Sequence, residues 1–294
     1  MDPAGDIFRS ETIGTDGQEF RLVLHREDLT NVYPGLVRFT LRLLHRGNVV
    51  VSFCTNSLEY SPTSGLDAEG VAVRTMVDWA EELRRDWHVF LERFPRVPAR
   101  THDGSDTDVL VLQGSPRPDG NCSMLASWAA NAAESRGKHV RVLFLGDLQI
   151  HPCIGCYQCY STGSCIYADD MGEVIHLLRS ARLTVVCSPV YTNTVPGGLK
   201  IVIDRSQALH AERSLCNPSY PPSRGLLLAV AGRKGEENFT CVTKVVDAFF
   251  RHLGVHRCSP VRIDDMDRIR DVRTVPGIAL QVREAVDRSL SQRE

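Results

Sequence analysis

The chain has 294 residues, 43% hydrophobic and 24% charged, a balance that suits a globular protein with one large core or two smaller ones. A net charge of −2 provides no basic excess for nucleic acid or an anionic membrane. The opening residues, MDPAGDIFRSET, lack the apolar segment of a signal peptide, and no run approaches the ~18 apolar residues of a membrane span.

The first part reads as a small α+β module, residues 1–98. Residues 19–26 alternate as a strand. Residues 36–54 read as a hairpin turning at Arg46-Gly47-Asn48. Val73, Met76, Val77, Ala80, Leu83, Trp87 and Phe90 recur at helical spacing within 68–93. This module carries no chemical motif. Its long apolar helix predicts a contact surface, either between subunits or over a cofactor. Residues 99–107, in a Pro-rich and then acidic stretch, read as a linker.

From 108 to 294 the rhythm changes. Apolar runs at 108–114, 139–145, 183–189, 224–232 and 255–263 read as buried strands. Helices are expected at 122–135, 170–179, 196–209, 238–252 and 276–291, with Asp170 and Glu173 as a capping box. Strict alternation of five strands with helices predicts an α/β fold, a doubly wound parallel sheet.

Ten cysteines without an export signal predict a reducing, cytoplasmic setting. Four of them, Cys153, Cys156, Cys159 and Cys165, form a C-x2-C-x2-C-x5-C run. That spacing suits the four thiolates of one iron–sulfur cluster. Structural zinc prefers two separated C-x2-C knuckles, and a dithiol pair leaves two cysteines unexplained, but both readings stay open.

Ligands of such sheets bind at the carboxyl ends of the strands. Three loops there carry unusual residues. GSPRPDGNCS (114–123) offers glycines, hydroxyls and a helix start, the makings of a phosphate site without a Walker or dinucleotide fingerprint. SPVYTN (188–193) offers backbone amides and an aromatic face for a planar ring, and AGRKGEEN (231–238) contains Gly232.

Together, GSPRPDGN, PCIGCYQC…GSCIYADDM and SPVYTNTVPGGLKIVIDR resemble the iron–sulfur flavoproteins, within the NADPH-dependent FMN reductase group of the flavodoxin-like superfamily. The resemblance covers residues ~107–291 and leaves the N-terminal module unmatched. It implies a flavodoxin-like five-stranded sheet and non-covalent FMN. The phosphate would be held by Ser115, Arg117, Asn121, Cys122 and Ser123. The ring would lie against Pro189, Val190, Tyr191, Thr192 and Asn193, with Gly232 nearby. The four cysteines would hold a 4Fe–4S cluster, and assembly would be a homodimer or homotetramer. Cys122 departs from the Thr or Ser usual in the family.

The expected function is an FMN-dependent oxidoreductase passing electrons between flavin and cluster, with NAD(P)H or a protein as electron donor. No catalytic side chain stands out; His151 reads as a loop residue. The alternatives are a cluster-free NAD(P)H-dependent FMN or quinone reductase, and a non-enzymatic electron carrier or redox sensor.

Overall fold

A computed structural model of the chain describes residues 5–94, 107–216 and 222–291, so the expected linker lies outside the described residues except for Thr107. In chain order the strands and α-helices begin with β1 (Asp6–Thr15), β2 (Gln18–Asp28), β3 (Val37–His45), β4 (Asn48–Asn56) and α1 (Ala68–Glu92). They continue with β5 (Val109–Gln113), α2 (Asn121–Glu134), β6 (Val140–Phe144), α3 (Cys159–Thr162), α4 (Met171–Ser180) and β7 (Leu183–Pro189). Then come α5 (Gly197–Arg205), α6 (Gln207–Cys216), β8 (Arg224–Val230) and α7 (Thr240–His252). The last are β9 (His256–Arg257), β10 (Val261–Ile263), α8 (Met266–Ile269) and α9 (Ile278–Ser291).

The chain folds as two compact units. The first combines the N-terminal residues with 154–166 and the stretch beginning at Ala211. Its sheet is an antiparallel β1-β2-β3-β4 meander. Phe20, Leu22 and Leu24 of β2 and Leu41 and Leu43 of β3 alternate onto one face, where Ala72, Met76, Trp79 and Leu83 of α1 cover them. The helix pattern of α1 is broken once. Asp86 takes an extended conformation (φ −163°, ψ 100°), and its carboxylate accepts from the His88 and Val89 amides at 3.0 and 3.1 Å. It acts as an internal N-cap that restarts the helix.

The second unit holds a parallel sheet in the order β6-β5-β7-β8-β10, with the short β9 also paired to β8. Numbered from β5, this is the 2-1-3-4-5 order of flavodoxin-like sheets, whose switch point lies between β5 and β7. The apolar run VLVLQ of β5 is buried at every residue, as a central strand covered on both faces must be. Helix α2 packs on β5, β7 and α9, and its Ala126, Ala129 and Ala133 allow close approach. The expected fifth strand is split: Pro260, which has no N–H to donate, lies between β9 and β10, and both pieces pair with β8. Among the described residues no helix is long and apolar enough to cross a membrane.

Candidate functional site

A cavity of about 1520 Å³ opens at the carboxyl edge of the parallel sheet. Its lining includes Ser115, Arg117, Asn121, Cys122 and Ser123 from the loop after β5, Pro189 to Asn193 after β7, and Gly232 after β8. All eleven non-cysteine-loop positions singled out in the sequence therefore meet at one place.

The phosphate-type loop is built closely. The Gly114 amide donates to the Cys187 carbonyl at 2.8 Å. A Cβ on Gly114 would lie 2.9 Å from Leu199 Cδ2 and 3.1 Å from the Cys187 oxygen. Gln113 Nε2 donates to the Arg117 carbonyl at 3.2 Å and to Ser123 Oγ at 2.7 Å, which curls the loop back on β5. The Arg117 amide donates to Ser115 Oγ at 3.1 Å. Gly120, the N-cap of α2, contributes no side-chain cap, so the first amides of α2 face the cavity region uncapped.

Two side chains expected at the phosphate have other duties. Asn121 donates to the Arg270 carbonyl at 3.0 Å and accepts from the Val272 amide at 2.9 Å, tying the segment after α8 to the start of α2. Cys122 is buried among the core residues, and burial pushes its thiol up to about 12. It packs as a small neutral hydrophobe.

The ring-type loop is a two-residue reversal. Tyr191 and Thr194 exchange backbone hydrogen bonds at 2.8 and 2.9 Å, with Thr192 and Asn193 between them at φ 44° and 64°. Asn tolerates the left-handed region; Thr, β-branched, does so at a cost. Tyr191 is 39% exposed, so its ring is available to a ligand. The rim also carries Arg233, Arg270, Asp271 and Arg273, which the sequence reading did not single out. Arg233 sits in the AGRKGEEN loop after β8, whereas Arg270, Asp271 and Arg273 reach the cavity from more than 30 residues beyond β8, with no local motif to mark them.

The base of the cysteine loop is anchored within the second unit. Arg205, fully buried, donates to both Asp169 carboxylate oxygens at 2.7 and 3.0 Å and to the His151 carbonyl at 2.6 Å. Asp169 also accepts from the His151 amide at 2.9 Å. Burial alone would raise the Asp169 carboxyl; the Arg205 guanidinium and the His151 and Met171 amides outweigh it and hold the group at about 2. The His151 ring stacks on Tyr167 at 4.9 Å, in keeping with a loop residue.

The four loop cysteines are free thiols, Cys153 exposed and Cys156, Cys159 and Cys165 partly buried. Gly155 and Tyr157 are left-handed (φ 66° and 57°), and α3 ends at Gly163, also left-handed. A set of thiols alone fits a soft iron–sulfur centre in its donor chemistry. Among the described residues, however, no three or more His, Cys, Asp or Glu side chains are gathered as a metal-binding group.

A flavodoxin-order sheet with a large cavity at its switch point, opening on an uncapped helix N-terminus, defines an α/β flavoprotein site. The NADPH-dependent FMN reductase family matches residues 107–255, half of the chain, and the chain belongs to that family; it is a flavin-dependent oxidoreductase. An iron–sulfur flavoprotein of Methanocaldococcus jannaschii is 33% identical over 144 residues, which span 49% of this chain and 72% of the relative. An iron–sulfur flavoprotein of Methanosarcina thermophila is 31% identical over 126 residues, 43% of this chain and 64% of that protein. The apo form of an NADH:FMN oxidoreductase superposes with a TM-score of 0.46 and 19% identity, covering 63% of this chain and 90% of that one.

Proposed function

We propose that the cavity binds FMN and that Cys153, Cys156, Cys159 and Cys165 hold one 4Fe–4S cluster. The observation that carries the flavin half is the convergence of the 115–123 and 189–193 loops on one cavity. The uncapped first turn of α2 and the Ser115 hydroxyl would receive the phosphate, by backbone amides more than by side chains, since Asn121 and Ser123 are otherwise engaged. Arg117, which has no carboxylate partner among the described residues, would add positive charge there. The Tyr191–Thr194 reversal would hold one edge of the ring. When bound, FMN supplies one- and two-electron chemistry and the cluster one-electron transfer.

The cluster half is supported by the spacing and softness of the donors and by the names of the relatives. NAD(P)H or a protein donor would supply electrons in a reducing, cytoplasmic setting, and the working assembly would be a dimer or tetramer. Anaerobic purification followed by flavin, iron, sulfide and zinc analysis tests both halves. FMN near one per chain that is lost in Ser115→Asp, with four irons per chain, is the expected result. Full FMN in Ser115→Asp would remove the flavin assignment. Zinc without iron would remove the cluster and leave a cluster-free FMN reductase.

A further inference from the structure

The N-terminal sheet has no counterpart in the family match, which begins at residue 107. Its second face, opposite α1, nevertheless carries buried polar residues. Arg38 and Thr40 of β3 and Asn56 at the end of β4 are all nearly inaccessible. Inside the same compact unit lies the cysteine segment 154–166.

We propose that this sheet is a positioning device for the cysteine segment, with Asn56 and Glu59 fixing the backbone that carries Cys156 and Cys159. Asn56 Nδ2 donates to the Tyr157 carbonyl at 3.1 Å and to Ser161 Oγ at 2.8 Å. Ser161 Oγ in turn donates to Glu59 Oε1 at 2.6 Å. The two gripping residues are themselves locked. The Asn56 amide donates to Glu59 Oε1 at 3.1 Å, and the Leu58 amide donates to Asn56 Oδ1 at 2.9 Å. The gripped carbonyl belongs to Tyr157, which lies between Cys156 and Cys159 and is held at φ 57°. That conformation is unfavourable for a non-glycine residue and persists only where its surroundings impose it.

Further contacts hold Tyr157, Tyr160 and Ser161. Arg38, paired with Glu27 at 2.6 Å, directs Nη1 at the Ser161 carbonyl at 3.5 Å. Tyr160 is fully buried with Leu36 and Ala211, and Tyr33 meets the rings of Tyr157 and Tyr160 edge-on at 5.8 and 5.7 Å. A short cysteine-rich turn has little core of its own, so ordering it before a metal arrives must come from such a support. Groups that orient ligands from outside the ligand set change metal affinity about 10–100-fold when removed. Asn56 and Glu59 are positioning residues, since neither contacts a thiol through the bonds named here.

The metal consequence rests on the cluster reading above; the gripping itself does not, and the experiment separates them. Asn56→Ala and Ser161→Ala are made in the full chain. Ser161→Ala lies on the segment and leaves the sheet untouched, so it decides the matter if Asn56→Ala fails to fold. In metal-free protein, amides of 157–163 are expected to exchange about tenfold faster, the equivalent of one lost hydrogen bond, and Cys156 and Cys159 to alkylate faster. Exchange over 115–123 should stay unchanged. In anaerobically assembled protein, iron should leave to a chelator about 10–100-fold faster, with a shifted cluster midpoint potential. Unchanged exchange and alkylation in both variants would overturn the proposal. Wild-type protein that takes up no iron, but whose variants show the exchange and alkylation changes, would overturn the cluster reading and leave the positioning role standing.

Discussion

Gly114 shows how little room the junction between β5 and its following loop allows. A methyl group there would press on Leu199 and on the Cys187 carbonyl, in a strand-to-loop junction that cannot shift without moving β7. Gly114→Ala is expected to destabilise the protein by about 1–3 kcal/mol, as overpacking does, and to lower bound flavin. Urea unfolding and the flavin-to-protein absorbance ratio check it; unaltered values for both would mean the loop is looser than its geometry. Asp169 makes a second prediction. Its carboxyl, held at about 2 against 3.8 ordinarily, stays charged in the folded protein where the unfolded chain takes up a proton. Its contribution of ~2 kcal/mol is therefore complete above about pH 4 and lost as pH falls towards 2. The stability gap between wild type and Asp169→Asn, measured by urea unfolding, should narrow over that window; a gap constant from pH 6 to pH 2 would contradict the ion-pair account. The glycine was legible in the sequence, because a Gly-Ser-Pro run after an apolar strand demands a tight backbone. The Arg205–Asp169 pair was not, because its partners are 36 residues apart and each, alone, looks like an ordinary charge.

At the scale of elements, apolar runs marked the central strands β5, β7 and β8, where burial on both faces leaves few polar positions, whereas the edge strand β6 keeps Arg141 and Val142 exposed. Edge and end effects were not legible. β1 buries only Ile13, so the strand has no alternation to read, and it is recognisable only by its pairing with β2. The capping box expected at Asp170 and Glu173 does not form. Asp170 accepts instead from the Gln149 amide at 2.7 Å, and Glu173 pairs with Arg141. The long helix expected over 196–209 is divided at Ser206 into α5 and α6. In the second unit, the start of α6 meets the end of α7 through two histidines. Their rings stack at 3.7 Å, His210 Nδ1 donates to the His252 carbonyl at 2.8 Å, and His252 Nε2 donates to Gln207 Oε1 at 3.0 Å. Burial, and then the neighbouring His210, lower His252 to about 4 from 6.5. The folded protein resists a proton that the unfolded chain accepts, so the junction is at full strength above about pH 6.5 and weakens as pH falls towards 4. His252→Gln, which cannot titrate, should show a shallower loss of melting temperature over that range. Equal slopes for variant and wild type would show that the pair does not set the acid limb.

At the scale of the molecule, the cavity at the sheet edge is lined by residues of the second unit, whereas the cysteine segment 154–166 belongs to the first. A sequence read in order makes 1–98 and 108–294 successive bodies, and nothing local reveals that Tyr160 shares a core with Leu36 or that Ser161 is bonded to Asn56. Those contacts span more than 100 residues, and the segment's own pattern, CYQCYSTGSC, has no apolar periodicity to declare a buried face. The two assignments of function separate accordingly. A chain starting at Ser105 keeps all cavity-lining residues and loses the sheet that covers Tyr157, Tyr160 and Ser161. It is expected to retain FMN and its visible spectrum while chymotrypsin cuts at Tyr157 or Tyr160, sites that stay protected in the full chain. Mass spectrometry of the digest and flavin content provide the two readouts. Loss of flavin from the shortened chain would show that the cavity depends on the N-terminal module. Continued protection of Tyr157 and Tyr160, with flavin retained, would show that the cysteine segment orders itself and that the sheet merely rests on it.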